Sequence, residues 1–141
     1  MKKSLLLCLA MLTLTFSIKA DDDRVVTFAQ LPAPAQAFHK QHFADKVPLT
    51  VTVDWDDYTI YYQSGEKVEF DKRGNWKSVD CRFAQVPDAI VPAQIKTQIN
   101  AQFPGTFVVE IDQNRGGYDV KISNGLDLEF NRAFQLTEID D

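Results

Sequence analysis

The chain has 141 residues and a formal net charge of −5, with 45% apolar and 25% charged residues. This composition is typical of a globular protein and excludes a disordered or fibrous chain, and the length fits one domain. The excess of acidic residues argues against nucleic acid or an anionic membrane as a partner, because both require a basic patch.

The first 20 residues have the pattern of a signal peptide. Lys2 and Lys3 precede an apolar run from Leu5 to Phe16, and Ala20 is the small residue expected before a cleavage point. The run is too short to cross a bilayer, which takes about 20 apolar residues. Removing this leader, which holds three Lys and no acid, leaves residues 21–141 with a charge of −8. We expect an exported protein, periplasmic in a Gram-negative cell and otherwise secreted.

The remaining chain contains an internal repeat. At an offset of 60, residues 31–80 match residues 91–140 without a gap and with eight identical pairs, Gly65 with Gly125 and Phe70 with Phe130 among them. An offset of 55 also matches residues 28–32 with 83–87, so the start of each copy is ambiguous by five residues. We predict one domain, 21–141, made of two repeats at about 25–81 and 82–141.

Each copy changes from a helical period to strand alternation. In the first copy a stripe of Leu31, Ala35 and Phe38 predicts a helix that closes at Phe43. Four strands follow, and their inward-facing residues are predicted from the alternation: Leu49, Val51 and Val53, then Tyr58, Ile60 and Tyr62, then Val68 and Phe70, then a strand from Trp76 to Asp80.

The second copy repeats this order. Val91, Ile95, Ile99 and Phe103 recur every four residues and predict a helix, and Pro104 and Gly105 end it. The strands that follow are predicted to place these residues inward: Phe107, Val109 and Ile111, then Tyr118, Val120 and Ile122, then Leu126, Leu128 and Phe130.

Clean alternation indicates antiparallel strands with one covered face and one face in water. The predicted fold class is therefore α+β. Two tandem units, each a helix with a four-stranded antiparallel sheet, are expected to join into one continuous sheet with both helices on one face.

The order of these motifs, written twice behind a leader, resembles the PepSY-like, beta-lactamase-inhibitor-like family of small exported bacterial proteins. The Val/Leu-Glu-Phe-Asp/Asn-Lys/Arg pattern at 68–72 and 128–132 is part of this resemblance. It implies helix-plus-four-strand repeats and a bare sheet face that binds a secreted enzyme, or a relation to peptidase propeptides. The chain lacks the paired cysteines of the secreted beta-lactamase inhibitors, which puts beta-lactamase in doubt as a target.

The bare sheet face is the predicted binding surface. Exposed aromatic residues anchor protein interfaces, so Tyr61 and Trp55 are candidate protein-binding residues, together with the polar neighbours Asp54, Asp57, Gln63 and Glu69. The alternative is a solvated face on which Tyr61 only makes cross-strand contacts. Alternation assigns these residues to the bare face: Thr50, Thr52, Asp54, Thr59, Tyr61, Gln63, Lys67, Glu69, Glu110, Asp112, Asp119, Lys121, Asp127 and Glu129.

Other chemistry has weaker support in the sequence. The loop around Trp55 is a weak candidate for a cation site, since it contains Asp54, Asp56 and Asp57, but their spacing is not that of an EF-hand.

The two histidines, His39 and His42, lie three residues apart on the first helix and are interpreted as structural. Cys81, the single thiol left after leader removal, is interpreted as a small buried residue, with an intermolecular disulfide as the alternative.

We identify no nucleophile constellation and no carboxylate in an apolar context that would raise its pKa. The sequence therefore predicts a non-enzymatic binding module without a cofactor, whose partner is a protein, such as an exported hydrolase or peptidase that it inhibits. A small-ligand or cation-binding envelope protein is the alternative.

Overall fold

The computed structural model describes residues 23–141, so the predicted leader and Cys8 lie outside the described residues. Two helices are present, α1 (Ala33–His42) and α2 (Ala93–Gln102), and each is preceded by a short 3-10 turn, at Phe28–Gln30 and Asp88–Ile90. No helix within 23–141 is both long enough and apolar enough to cross a bilayer. The strands are β1 (Arg24–Val26), β2 (Pro48–Asp54), β3 (Asp57–Tyr62), β4 (Lys67–Phe70), β5 (Trp76–Asp80), β6 (Val108–Asn114), β7 (Gly117–Ile122), β8 (Asp127–Asn131) and β9 (Leu136–Asp140).

All nine strands form one sheet in chain order, and each strand is antiparallel to the next. Strands β1 and β9 are its edges. The pairing recurs at the 60-residue offset, since Val51 lies opposite Ile60 and Ile111 lies opposite Val120. The chain is thus a mixed α+β protein with an open antiparallel sheet.

One buried cluster joins both helices to the sheet. Ala35 and Phe38 of α1 and Ile95 and Ile99 of α2 are buried in the cluster that holds one set of alternate strand residues. Phe38 contacts Phe70 edge to face, with ring centroids 5.4 Å apart. The predicted helical stripes therefore supply the packing that holds each helix.

Strand β1 was not predicted. Its three residues pair with Val51, Thr52 and Val53 of β2 and extend the sheet beyond the eight strands expected. Three residues are too few for an alternation pattern to distinguish a strand from a loop, so only the pairing partner reveals it.

The structure also decides between the two alignments of the repeat, at offsets of 60 and 55. The 3-10 turns begin at Phe28 and Asp88, which keeps the 60-residue offset, so residues 83–87 are not the counterpart of residues 28–32. Those residues belong to a connection after β5, where Arg82 adopts a positive φ of 61° and Val86 N–H donates to Val108 O.

The predicted inward position of Leu49 is wrong. A β-bulge between Pro48 and Thr50 interrupts the alternation, and Leu49 is 65% exposed. A bulge also lies at the matching place in β6, yet Val109 there is only 5% exposed. The connection after β5 runs beside this residue in the second half, since Cys81 N–H donates to Val109 O.

Candidate functional site

Outside the buried cluster, two rows of strand residues cross eight strands, from β2 to β9. In one row the acids outnumber every other residue type and no cation is present; we call it the acidic row. It consists of Thr52, Thr59, Glu69, Ser78, Asp112, Asp119, Glu129 and Glu138, each directly opposite the next.

The second row contains lysines as well as acids, and we call it the mixed row. Its lysines contact acids in both rows: Lys67 Nζ lies 3.9 Å from Glu69, and Lys121 Nζ lies 3.8 Å from Asp127. Its members, again each opposite the next, are Thr50, Tyr61, Lys67, Asp80, Glu110, Lys121, Asp127 and Asp140.

Carboxylates in the acidic row face one another across neighbouring strands. Asp112 lies opposite Asp119, Asp119 opposite Glu129, and Glu129 opposite Glu138. Like charges in directly opposite positions destabilise a sheet. Asp112 Oδ1 is buried and accepts no hydrogen bond within residues 23–141. Asp112 is therefore the member of this row that keeps a buried oxygen without a donor among the described residues.

Glu110 corrects the expectation that no carboxylate has a raised pKa. Burial of its side chain and then the charges of Asp80 and Asp112 raise the pKa of Glu110, against the opposing effect of Lys121 and Lys67. The sequence pattern marks Glu110 only as an outward position on a strand. The proximity of Asp80 on β5 to Glu110 becomes visible once the register of β5 and β6 is known.

The two rows enclose shallow depressions. Two of them, each about 320 Å³, share Glu110, Asp112 and Asp119 in their linings, and one of the two extends to Glu69 and Lys77. The polar face is therefore not flat at the centre of the sheet, and its depressions are lined by carboxylates together with lysines.

A compact group of acids lies at the β9 edge. The carboxylates of Glu129, Glu138 and Asp140 place ligand atoms within 4.8 Å of one another, and all three side chains are exposed. The hydrogen bond with Asp140, followed by the charges of Asp140 and Glu129, raises the pKa of Glu138. Close carboxylates of this kind can share a proton or bind a cation.

Several predicted binding residues lie on this surface. Tyr61 and Glu69 occupy the mixed and acidic rows, and Tyr61 is only partly exposed between Thr50 and Lys67. Gln63 is exposed but follows the end of β3, and its backbone N–H donates to Val47 O. Gln63 thus lies in the turn beyond the two rows.

The loop around Trp55 is the tip of the β2–β3 hairpin. Trp55 is 90% exposed and has a φ of 58°. Asp54 and Asp57 are opposite each other at its base, and Asp57 Oδ2 accepts a hydrogen bond from Lys77 Nζ at 2.8 Å. Asp56 is exposed. Among residues 23–141, the loop carboxylates do not bring three ligand atoms within 4.8 Å, and their role in cation binding stays a prediction.

The two histidines pack against aromatic rings. His39 Nδ1 lies 2.8 Å from the Tyr62 hydroxyl, and the two rings are stacked. The His42 ring lies 4.6 Å from that of Phe38. Burial lowers the pKa of both histidines, and the charge of Lys40 adds to the effect at His39. Their contacts agree with the structural interpretation.

Cys81 is buried, as expected, with 5% of its surface exposed. Burial, together with the charges of Glu66 and Asp80, raises the pKa of the thiol to about 12. A thiol with so little thiolate at neutral pH is a poor nucleophile.

Several acids with close contacts in the structure were not among the predicted site residues. Asp80, Glu138 and Asp140 belong to the mixed and acidic rows, and alternation along β5 and β9 was the signal that could have included them. Glu66 was also missed. It is a buried acid, 6% exposed, that accepts a hydrogen bond from Ser64 Oγ and lies 3.4 Å from Lys46 Nζ.

Comparison with known proteins gives one matching family. The family described as "Putative beta-lactamase-inhibitor-like, PepSY-like" matches residues 56–138. No curated protein is found that matches the chain.

Three solved structures share the fold over nearly their whole length. A "putative calcium-regulated periplasmic protein" from Bacteroides thetaiotaomicron is 40% identical, with a TM-score of 0.83 over 86% of this chain and 99% of its own. A "putative periplasmic protein" from Bacteroides vulgatus is 36% identical, with a TM-score of 0.82 over 86% and 99%. A second periplasmic protein from Bacteroides vulgatus, described as of unknown function, is 26% identical, with a TM-score of 0.81 over 84% and 99%.

Proposed function

Because the chain belongs to the PepSY-like, beta-lactamase-inhibitor-like family, we propose that it is an exported, non-enzymatic module that binds a cationic protein partner on the polar face of its sheet. The periplasm is the proposed location, since its structural relatives are described as periplasmic proteins. In this proposal two tandem helix-plus-four-strand units share one sheet, the helices cover one face, and the other face is free to bind.

The acidic row is the observation that carries the proposal. Five carboxylates in one row, with no lysine or arginine among them, create a field that favours lysine and arginine side chains of a partner. The buried, unbonded Asp112 Oδ1 adds a hydrogen-bond acceptor at the base of a depression. The partner is proposed to place basic side chains over strands β6 to β9.

Aromatic anchors would supply the apolar part of such an interface. Trp55 projects from the hairpin tip, and Tyr61 lies within the mixed row. Buried aromatic residues dominate the binding energy of many interfaces, while charged pairs at the rim mainly set the association rate. Trp55 and Tyr61 are therefore proposed to govern the dissociation rate, and the acidic row the salt dependence of association.

The test is capture of partners from a native envelope extract by immobilised protein. Wild type should retain a partner that increasing salt releases, and Asp119→Asn with Glu129→Gln should weaken retention. Trp55→Ala and Tyr61→Ala should weaken it further, whereas Phe83→Ala, at an equally exposed aromatic residue outside the two rows, is the matched control. Retention unchanged in the acidic-row variant would refute the proposed surface.

If the captured partner is a hydrolase or peptidase, its activity with and without the protein tests an inhibitory role.

A calcium-responsive module is the second candidate function. The relative described as calcium-regulated is 40% identical, and Glu129, Glu138 and Asp140 cluster within 4.8 Å. In this case calcium should raise the melting temperature relative to chelator, and Glu138→Gln should remove the rise. Loss of the rise in Asp56→Asn instead would assign the effect to the loop around Trp55. A melting temperature that calcium does not change would exclude this function.

A further inference from the structure

Strand β9 has one side without a partner strand. Its inner side pairs with β8, and no strand of residues 23–141 pairs with its outer side. The other edge of the sheet, β1, has three residues, whereas β9 has five. An edge strand presents a row of unpaired backbone N–H and C=O groups, to which another extended segment can add. The outer side of β9 is therefore the longer of the two places where this sheet can be extended.

The first half of the chain shows a strand bound at the corresponding place. At the 60-residue offset β9 corresponds to β5, whose outer side pairs with β6. Val79, the counterpart of Ile139, lies opposite Ile111, and two positions further along Cys81 N–H donates to Val109 O. Successive residues of a strand direct their backbone groups to opposite sides, so Val79 also directs its N–H and C=O toward β6. By the same offset, Ile139 directs its N–H and C=O outward from β9.

The same comparison reveals an uncovered apolar side chain. Val79 is fully buried, whereas Ile139 is 49% exposed. Both lie on the face that packs into the buried cluster, since Val79 is opposite the buried Val68 and Ile139 is opposite the buried Leu128. A strand added beside β9 would bring a side chain against Ile139, at the position where Ile111 lies against Val79. An apolar side chain at that position is favoured because it removes Ile139 from water.

Charge specifies the residues on either side of that apolar position. Glu138 and Asp140 are exposed on the polar face, and with Glu129 they place carboxylate oxygens within 4.8 Å of one another. In the part of the chain that the structure describes, no lysine or arginine nitrogen lies within 4.0 Å of Glu138 or Asp140. In the register that β6 has on β5, each of these two acids would face one residue of the added strand. Opposite charges in directly opposite positions stabilise a strand pair, so lysine or arginine fits both positions.

We propose that β9 binds an extended segment of a partner protein in which an apolar residue lies between two basic residues, and that this segment joins the sheet as an antiparallel tenth strand. The apolar residue packs on Ile139 and exchanges backbone hydrogen bonds with it, while the basic residues lie opposite Glu138 and Asp140. This inference rests on the function proposed above, since it specifies how a cationic partner uses the β9 side of the molecule. A second copy of the chain fits less well, because its β9 carries the same acids and its β1 has a single basic residue, Arg24.

The experiment is a titration of the isotope-labelled protein with the peptide acetyl-Thr-Lys-Ile-Lys-Thr-amide, followed by backbone amide shifts. Saturable shifts should concentrate in β9, at residues 136–140. The same peptide with an N-methyl group on its isoleucine keeps both charges but cannot donate a hydrogen bond to Ile139 O, and it should bind about tenfold more weakly. A peptide with glutamate in place of both lysines should give no saturable shifts.

Two variants of the protein separate the backbone contribution from the charge contribution. Ile139→Pro removes an N–H that the added strand needs and that β8 does not use, so the variant should fold and lose the peptide. Glu138→Gln with Asp140→Asn should weaken binding about threefold and reduce its dependence on salt. The comparison of the two lysine peptides on the wild-type protein remains decisive even if Ile139→Pro does not fold.

Three results would overturn the added strand. They are equal binding of the N-methylated peptide, shifts that centre on Asp112 and Asp119, and shifts that do not saturate by about 10 mM. Capture from the envelope extract distinguishes this failure from failure of the proposed function. A partner that is retained by Ile139→Pro but lost by Asp119→Asn with Glu129→Gln would uphold the polar face as the binding surface and exclude the β9 edge.

Discussion

At the scale of single residues, Glu66 combines burial with charge. Burial alone would raise the pKa of its carboxyl, but hydrogen bonds from Ser64 and the backbone and the nearby Lys46 outweigh it, so its pKa is lowered. A lowered pKa in the folded state means that the ionised form stabilises the protein above the unfolded pKa of about 4.3, and that this contribution is lost as pH falls through the folded pKa.

We therefore expect Glu66→Gln to lower the free energy of unfolding by about 1–2 kcal/mol at neutral pH, because it removes a buried charged acceptor. The difference from wild type should shrink as the pH falls from about 5 to about 3. Urea unfolding at several pH values measures both effects. The double variant Lys46→Thr with Glu66→Leu, which carries the residues found 60 positions later, is the control without either charge. A gap between Glu66→Gln and wild type that is equally large at low pH would contradict this account.

Cys81 gives a second residue-scale prediction. Its buried thiol, with a pKa of about 12, should react with a thiol reagent at least ~10-fold more slowly in the native protein than in urea. Reaction rates at neutral pH measure this directly. A dimer band on non-reducing electrophoresis that reductant removes would contradict it, because an intermolecular disulfide requires an accessible sulfur.

At the scale of elements, Gly117 fixes the start of β7. Its φ is +138°, and a Cβ there would lie 2.0 Å from Phe130 O on the neighbouring strand. Gly125, in the turn after β7, also has a positive φ, of 94°, but a Cβ there meets nothing within 4 Å. The two glycines thus separate the cost of backbone strain from the cost of a steric clash.

We expect Gly117→Ala to cost about 2–4 kcal/mol of unfolding free energy and Gly125→Ala about 1 kcal/mol. Chemical denaturation of the two variants measures the difference. Equal losses would show that the β7–β8 pairing relaxes around the added methyl group without cost.

The elements also show how far sequence reasoning reaches. Strand β5 begins and ends where the alternation predicts, at Trp76 and Asp80, because its buried Val79 and its turns leave clear local signals. The exposure of Leu49 could not be predicted. A bulge reverses the side of one residue, and the alternation pattern carries no signal of it.

At the scale of the whole molecule, repulsion within the acidic row is expected to lower the stability of the free protein. Asp119 lies between Asp112 and Glu129 on the neighbouring strands. Asp119→Asn should therefore raise the free energy of unfolding by a few tenths of a kcal/mol at low salt, and added salt should reduce the gain.

Lys121→Gln is the matched control, since Lys121 lies between Glu110 and Asp127 and its loss should destabilise the sheet. Thermal unfolding at low and high ionic strength compares the two variants. If Asp119→Asn destabilises the protein as much as Lys121→Gln does, repulsion in the acidic row is not significant.

The candidate site was only partly visible in the sequence. Alternation correctly assigned Glu110, Asp112, Asp119 and Glu129 to outward positions, because each lies on a strand with a regular period. The alignment of Asp112, Asp119 and Glu129 into one row without cations depends on the register of several strand pairs, which local patterns do not encode. The raised pKa of Glu110 and the cluster at Glu138 follow from that register.

The edge formed by β9 has a consequence for how the protein behaves at high concentration. An uncovered strand is a template on which further copies can add, and repeated addition gives fibrils. Glu138 and Asp140 place carboxylates along this edge, so at neutral pH each incoming copy would meet its own repelling charge. The residues proposed to attract a basic partner are thus expected to disfavour the addition of identical molecules, and strong acid should remove that repulsion.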